Sequence, residues 1–84
     1  MDDTELNREI LRIMREDFKK QGLKEAELSR RYQIKRQHLH NLHHEPKMTL
    51  TLPMATRWCN ARRVDVAYLV ALAAISLRRR CGAG

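Results

Sequence analysis

The sequence predicts an all-α fold, a compact bundle of about five helices. Three observations carry this. Aromatic residues are scarce and Gly is low, while Leu, Ala, Arg and Glu dominate, which is a helical composition. Apolar residues recur three and four positions apart in successive windows. The gaps between those windows hold helix punctuation: Gly22 after the first, Thr51 and Pro53 at the fourth, Asp65 before the fifth. A chain of 84 residues forms one small domain with a modest core. The domain is expected over residues 1–77 and a flexible basic tail over 78–84.

The first helix opens on Asp2 with Glu5 three residues on, the spacing of a capping box. Leu6, Ile10, Ile13, Met14 and Phe18 then form one stripe, and Gly22 is the natural stop. Its Glu and Arg pairs read as a solvated face. The second helix runs from about Lys24 to Tyr32, with Leu28 and Tyr32 on one side. Ile34 falls in the turn that follows. The third helix covers 35–44, with Leu39 and Leu42 sharing a face. These five apolar positions form a small core between two crossed helices, and Ser29 is the small residue that lets the next helix approach.

Glu45 to Leu50 is a linker containing Pro46. Thr51 caps the fourth helix and Pro53 sits in its first turn, where proline is tolerated. Leu52, Ala55, Trp58 and Cys59 point inward. Asp65 caps the fifth helix, 65–77, in which Val66 to Leu77 is almost entirely apolar. Ten apolar residues, Val66 to Ile75, are too few to span a membrane. A terminal helix that is apolar all round needs a partner for its second face. The partner expected is the same helix of another subunit, in a two-fold dimer or higher homo-oligomer contacted through Val66, Leu69, Val70, Ala73 and Leu77.

Helical geometry, at about 100° per residue, also fixes the outward side of the third helix. Opposite Leu39 and Leu42 lie Arg36, Gln37, His40, Asn41 and His44, each with a hydrogen-bonding head. Arg36 is suited to guanine, and Gln37 or Asn41 to adenine, in a major groove. Arg30, Arg31, Lys35, Lys47 and Arg57 flank this face and are candidate phosphate contacts. His40 and His44 are four apart, which is metal-ligand spacing. No acidic or cysteine ligand stands near them in sequence, so no metal is expected. Histidines on this face are expected to make DNA binding pH-sensitive at about pH 6–7.

Net charge is +7. Residues 1–27 hold eight of the ten acids, whereas 28–84 hold only Glu45 and Asp65 against eleven Lys and Arg. Positive charge therefore begins where the two-helix unit begins, and a basic surface attracts phosphate without reading sequence.

Residues 27–44, ELSRRYQIKRQHLHNLHH, resemble the lambda-repressor-like, Cro- and repressor-type helix-turn-helix regulators of phage and bacteria. The matching positions are Leu28, Ser29 (usually Ala), Tyr32, Ile34, Leu39 and Leu42. Two positions depart. Gln33 stands where the family usually has Gly at positive φ, at a cost of about 1 kcal/mol. Lys35 stands where a capping Ser or Thr is expected. A narrower resemblance, over about residues 23–75 with a gap in the linker, is to the regulatory CII proteins of temperate coliphages. It rests on the third helix, the Pro-containing linker, the L-T-x-P opening at Leu50 to Pro53, and Asp65 before an apolar helix. The first resemblance implies a major-groove reader and a phage or prophage control protein. CII-type relatives imply an activator of lysogenic transcription in contact with RNA polymerase, and Cro- or repressor-type relatives imply a repressor. Both directions stay open.

No carboxylate pair, Gly-rich phosphate loop or nucleophile–base–orienter set is present, so the chain is not expected to be an enzyme or to need a cofactor. Cys59 and Cys81 show no CxxC spacing and Met1 is followed by acids, which fits a cytoplasmic protein with no membrane attachment. The expected function is a sequence-specific regulator of double-stranded DNA. The alternative is a protein-interaction module, antirepressor- or antitoxin-like, that uses the apolar fifth helix.

Overall fold

A computed structural model describes residues 3–45 and 49–82, and among these every regular element is a helix. The spacing of Ile10, Met14 and Phe18 puts them on one side of α1 (Asp3–Gln21), and Leu11 joins them; all four are buried. Leu6 and Ile13 pack at the margin of this core. Gly22 ends the helix at φ +65°, the left-handed conformation that glycine adopts without a Cβ penalty. Asp2, and with it the expected capping box, lies outside the described residues.

α2 (Glu25–Tyr32) and α3 (Arg36–His44) are joined by Gln33, Ile34 and Lys35. Leu28, Tyr32, Ile34, Leu39 and Leu42 are each no more than 4% exposed, so all five expected core positions face inward. Gln33 adopts φ 55° and ψ 38°, taking the left-handed turn without glycine. Ser29 does more than leave room: its Oγ donates to the Ile34 carbonyl at 2.6 Å and ties the turn back onto α2. Neither Lys24 nor Lys35 makes a side-chain cap for the helix that it precedes.

Thr51 caps α4 (Leu52–Arg62) by accepting the Met54 N–H at 3.4 Å, with Pro53 in the first turn. Met54, Ala55, Trp58 and Cys59 are buried. Leu52 is not: it is 70% exposed. It falls on the inward side of the helical wheel but lies in the first turn, past the edge of the core that Met54 and Ala55 close. α4 ends at Arg63, again left-handed at φ 58°, and the Val64 N–H returns to the Cys59 carbonyl at 3.0 Å.

α5 (Val66–Gly82) packs along α1. It runs five residues beyond Leu77, so Arg78 to Arg80 belong to a helix and not to a flexible tail. Of the expected oligomerisation residues, Leu69 and Ala73 are fully buried in the chain's own core and Leu77 is 9% exposed. Val66 packs against that core, and Val70 alone of the five is exposed. α1 covers one side of α5, which leaves Tyr68, Val70, Leu72 and Ile75 in solvent. The radius of gyration is 12.7 Å, close to the value of about 12 Å expected for a packed domain of this length.

Two carboxylates of α1 sit at the joints. Glu9, 2% exposed, meets Arg12, Ser76 and Arg80 and fastens α5. Asp17 accepts from Tyr32, from Trp58 Nε1 at 3.2 Å and from Arg62 at 2.7 Å, and so ties α1 to α2 and α4. Among the described residues no buried side-chain nitrogen or oxygen lacks a hydrogen-bond partner.

Candidate nucleic-acid interface

The position of α3 is set from two sides. Leu39 and Leu42 anchor it in the core, and Arg15 of α1 donates to the Leu42 carbonyl at 2.7 Å, satisfying one of the open carbonyls of its last turn. With that side fixed, Arg36, Gln37, His40 and His44 are exposed and Asn41 is half-buried. The five residues expected to read bases thus share the outer side of one anchored helix.

Their side chains are partly organised. Gln37 Nε2 donates to Asn41 Oδ1 at 3.1 Å, which couples the two amides suited to adenine. The His40 and His44 rings lie 4.5 Å apart at 38°. His40 Nδ1 is 3.7 Å from Glu25 Oε1 of α2, an ion pair only when the imidazole is protonated. Among the described residues no three His, Cys, Asp or Glu side chains are grouped to hold a metal ion. His43 is half-buried, and burial pushes its pKa below the usual 6.5; Glu25 opposes this, while Lys19, Arg15 and His44 reinforce it. His38 is also half-buried, on the flank of the helix.

Of the expected phosphate contacts, Arg30, Arg31, Lys35 and Arg57 are exposed, and Lys47 lies outside the described residues. Arg31 and Arg57 come from different helices yet line one cleft of about 330 Å³, together with Tyr32, Gln33 and Asn60. Asn60 lies three residues after Arg57 and so on the same side of α4. Arg62 stacks over Trp58, 5.2 Å from the ring centroid, and pairs with Asp17, so it braces the core. The N-terminal N–H groups of α3 have no side-chain cap at Lys35, and the positive end of the helix dipole adds to Lys35 and Arg36.

Cys59 is buried and burial raises its pKa, the opposite of an activated thiolate. No described helix is long and apolar enough to cross a membrane. No protein-family model matches the chain, and neither does any curated protein or solved structure.

Proposed function

We propose that this chain is a sequence-specific double-stranded DNA-binding transcription regulator of phage or prophage origin. It acts in the cytoplasm as a homo-oligomer. In this reading α2, its turn and α3 work as a helix-turn-helix. α3 enters the major groove, and Arg36, Gln37, His40, Asn41 and His44 meet base edges. Arg30, Arg31, Lys35 and Arg57 hold phosphates.

The observation that carries the reading is the outer side of α3. A helix pinned by Leu39, Leu42 and Arg15 presents five hydrogen-bonding heads and no apolar side chain. The Arg31–Arg57 cleft supplies positive charge from two further helices. A solvated scaffold helix is polar there too; what supports a groove reader is that these heads are a guanidinium, two amides and two imidazoles, groups suited to base edges. A two-fold dimer places two copies of α3 on half-sites about one DNA turn apart, or a multiple of that. Repression needs only occupancy of a promoter, whereas activation also needs a surface that meets RNA polymerase.

The test is a competition at physiological salt between duplex DNA, single-stranded DNA and RNA of the same sequences. The reading expects the duplex to win, and expects Arg36→Ala to remove the preference for particular duplexes. Equal binding of all three polymers contradicts it. A second reading, the protein-interaction module, draws on the exposed Tyr68, Leu72 and Ile75 of α5. It expects a tight 1:1 complex with a different protein and no duplex preference.

A further inference from the structure

We propose that the outer side of α5 is a self-complementary seam that pairs with α5 of a second copy in antiparallel orientation, with the two-fold axis at Leu72. This rests on the homo-oligomeric part of the reading above and replaces the oligomerisation residues that the core buries.

The first ground is spacing. Asp65, Tyr68, Leu72, Ile75 and Arg79 follow one another at intervals of three and four, the repeat that keeps a seam facing a partner helix. Tyr68 is 55%, Leu72 37% and Ile75 49% exposed, and Asp65 and Arg79 are exposed at the two ends. The seam lies away from Leu69, Ala73 and Leu77, which are buried in the core. Two side-by-side sets of apolar residues explain why the helix looks apolar all round.

The second ground is charge. Leu72 lies midway between Asp65 and Arg79. In an antiparallel pair each Asp65 meets Arg79 of the second copy, and the helix dipoles are opposed favourably. A parallel pair sets Asp65 against Asp65 and drives two Arg78–Arg80 clusters together. Charge therefore selects both the occupant and its direction.

The third ground is shape. Between α1 and α5 lies an open groove of about 410 Å³. Ile13, Leu72 and Ile75 line it with apolar surface, and Arg12, Arg79 and Arg80 line it with guanidinium groups, of which Arg12 and Arg80 pair with Glu9. The proposed axis brings Tyr68 of the second copy level with Ser76, which lines this groove, so its ring lies against the groove's apolar and guanidinium lining. The knob and the hole belong to the same surface, as a two-fold interface requires. Asp65 to Arg79 spans about 21 Å, so the interface is small and the dimer forms in the micromolar range.

The test is read on the full chain without DNA, so its failure and the failure of base reading are separate results. Sedimentation equilibrium from about 1 to 200 µM is expected to show a monomer–dimer equilibrium that weakens a few-fold as salt rises. Ile75→Arg is expected to weaken the dimer at least about 100-fold, because two buried apolar side chains are lost, with helicity unchanged because Ile75 is exposed in the monomer. Asp65→Arg and Arg79→Asp are each expected to weaken it, and the double swap to recover association. In a Cys81→Ser background, oxidation is expected to cross-link Leu72→Cys to itself and not Tyr68→Cys. A monomer throughout, association unchanged by Ile75→Arg, or efficient Tyr68→Cys cross-linking each overturns the proposal. So does a monomer that binds phosphatidylserine vesicles through this side, which assigns it to a membrane surface.

Discussion

Ser76 of α5 donates its hydroxyl proton to Glu9 Oε2 of α1 across 2.6 Å, deep enough that Glu9 is 2% exposed. Arg12 from the same helix and Arg80 from near the end of α5 complete the shell. Arg12 hydrogen bonds hold the carboxylate down to about 2, helped by Ser76 and the nearby charges and opposed by burial. One acid on the first helix thus fastens the last helix, beside the apolar packing of Leu69 and Ala73.

This pairing predicts a specific acid sensitivity. The folded-state pKa of Glu9 lies below its ordinary 4.5, so the linkage is fully present above about 4.5 and is lost as pH falls to about 2. Its size is on the order of 3 kcal/mol. Glu9→Gln is expected to lower stability at pH 7 by about 1–3 kcal/mol in urea unfolding, and the difference from wild type is expected to vanish by about pH 2. A difference that does not change with pH would show that Glu9 stabilises only by packing.

The turn between α2 and α3 stores strain at Gln33 and recovers some of it at Ser29. Gln33→Gly is expected to raise stability by about 0.5–1 kcal/mol, because glycine takes the left-handed conformation freely while its greater unfolded-state entropy offsets part of the gain. Ser29→Ala is expected to cost about 1 kcal/mol by removing the bond to the Ile34 carbonyl. Thermal melts of the two variants are expected to move in opposite directions.

Phosphate contacts leave a signature in salt. If Arg31, Lys35 and Arg57 each neutralise one phosphate, each alanine substitution reduces the slope of log K against log salt by about 1, for every duplex alike. Gln37→Ala is expected to leave that slope unchanged. A slope indifferent to Arg31→Ala and Arg57→Ala together would remove their cleft from the interface.

The sequence revealed most clearly what depends on local periodicity. Leu28 and Tyr32, and Leu39 and Leu42, could be placed because helical spacing puts each pair on one side of its helix, and the outer residues of α3 follow by opposition. The Thr51 cap was legible for the same local reason. What depended on distant parts of the chain was not. Glu9 and Arg12 read as a solvated pair because Ser76 and Arg80, which help enclose Glu9, lie 67 and 71 residues further along. Arg78 to Arg80 read as a tail because the partner of Arg80 is on α1. Within Val66 to Leu77 nearly every residue is apolar, so composition cannot say which side α1 covers; packing chose Leu69 and Ala73.

Base reading by α3 is tested by selection from a random duplex library at physiological salt, with wild type beside Arg36→Ala and Asn41→Ala. Enrichment of a roughly palindromic motif is predicted, with preference relaxed at separate positions in the two variants, each losing about 1–3 kcal/mol of discrimination. Enrichment of no sequence, with binding that only collapses as salt rises, would leave electrostatic attraction alone and rule out base reading by α3.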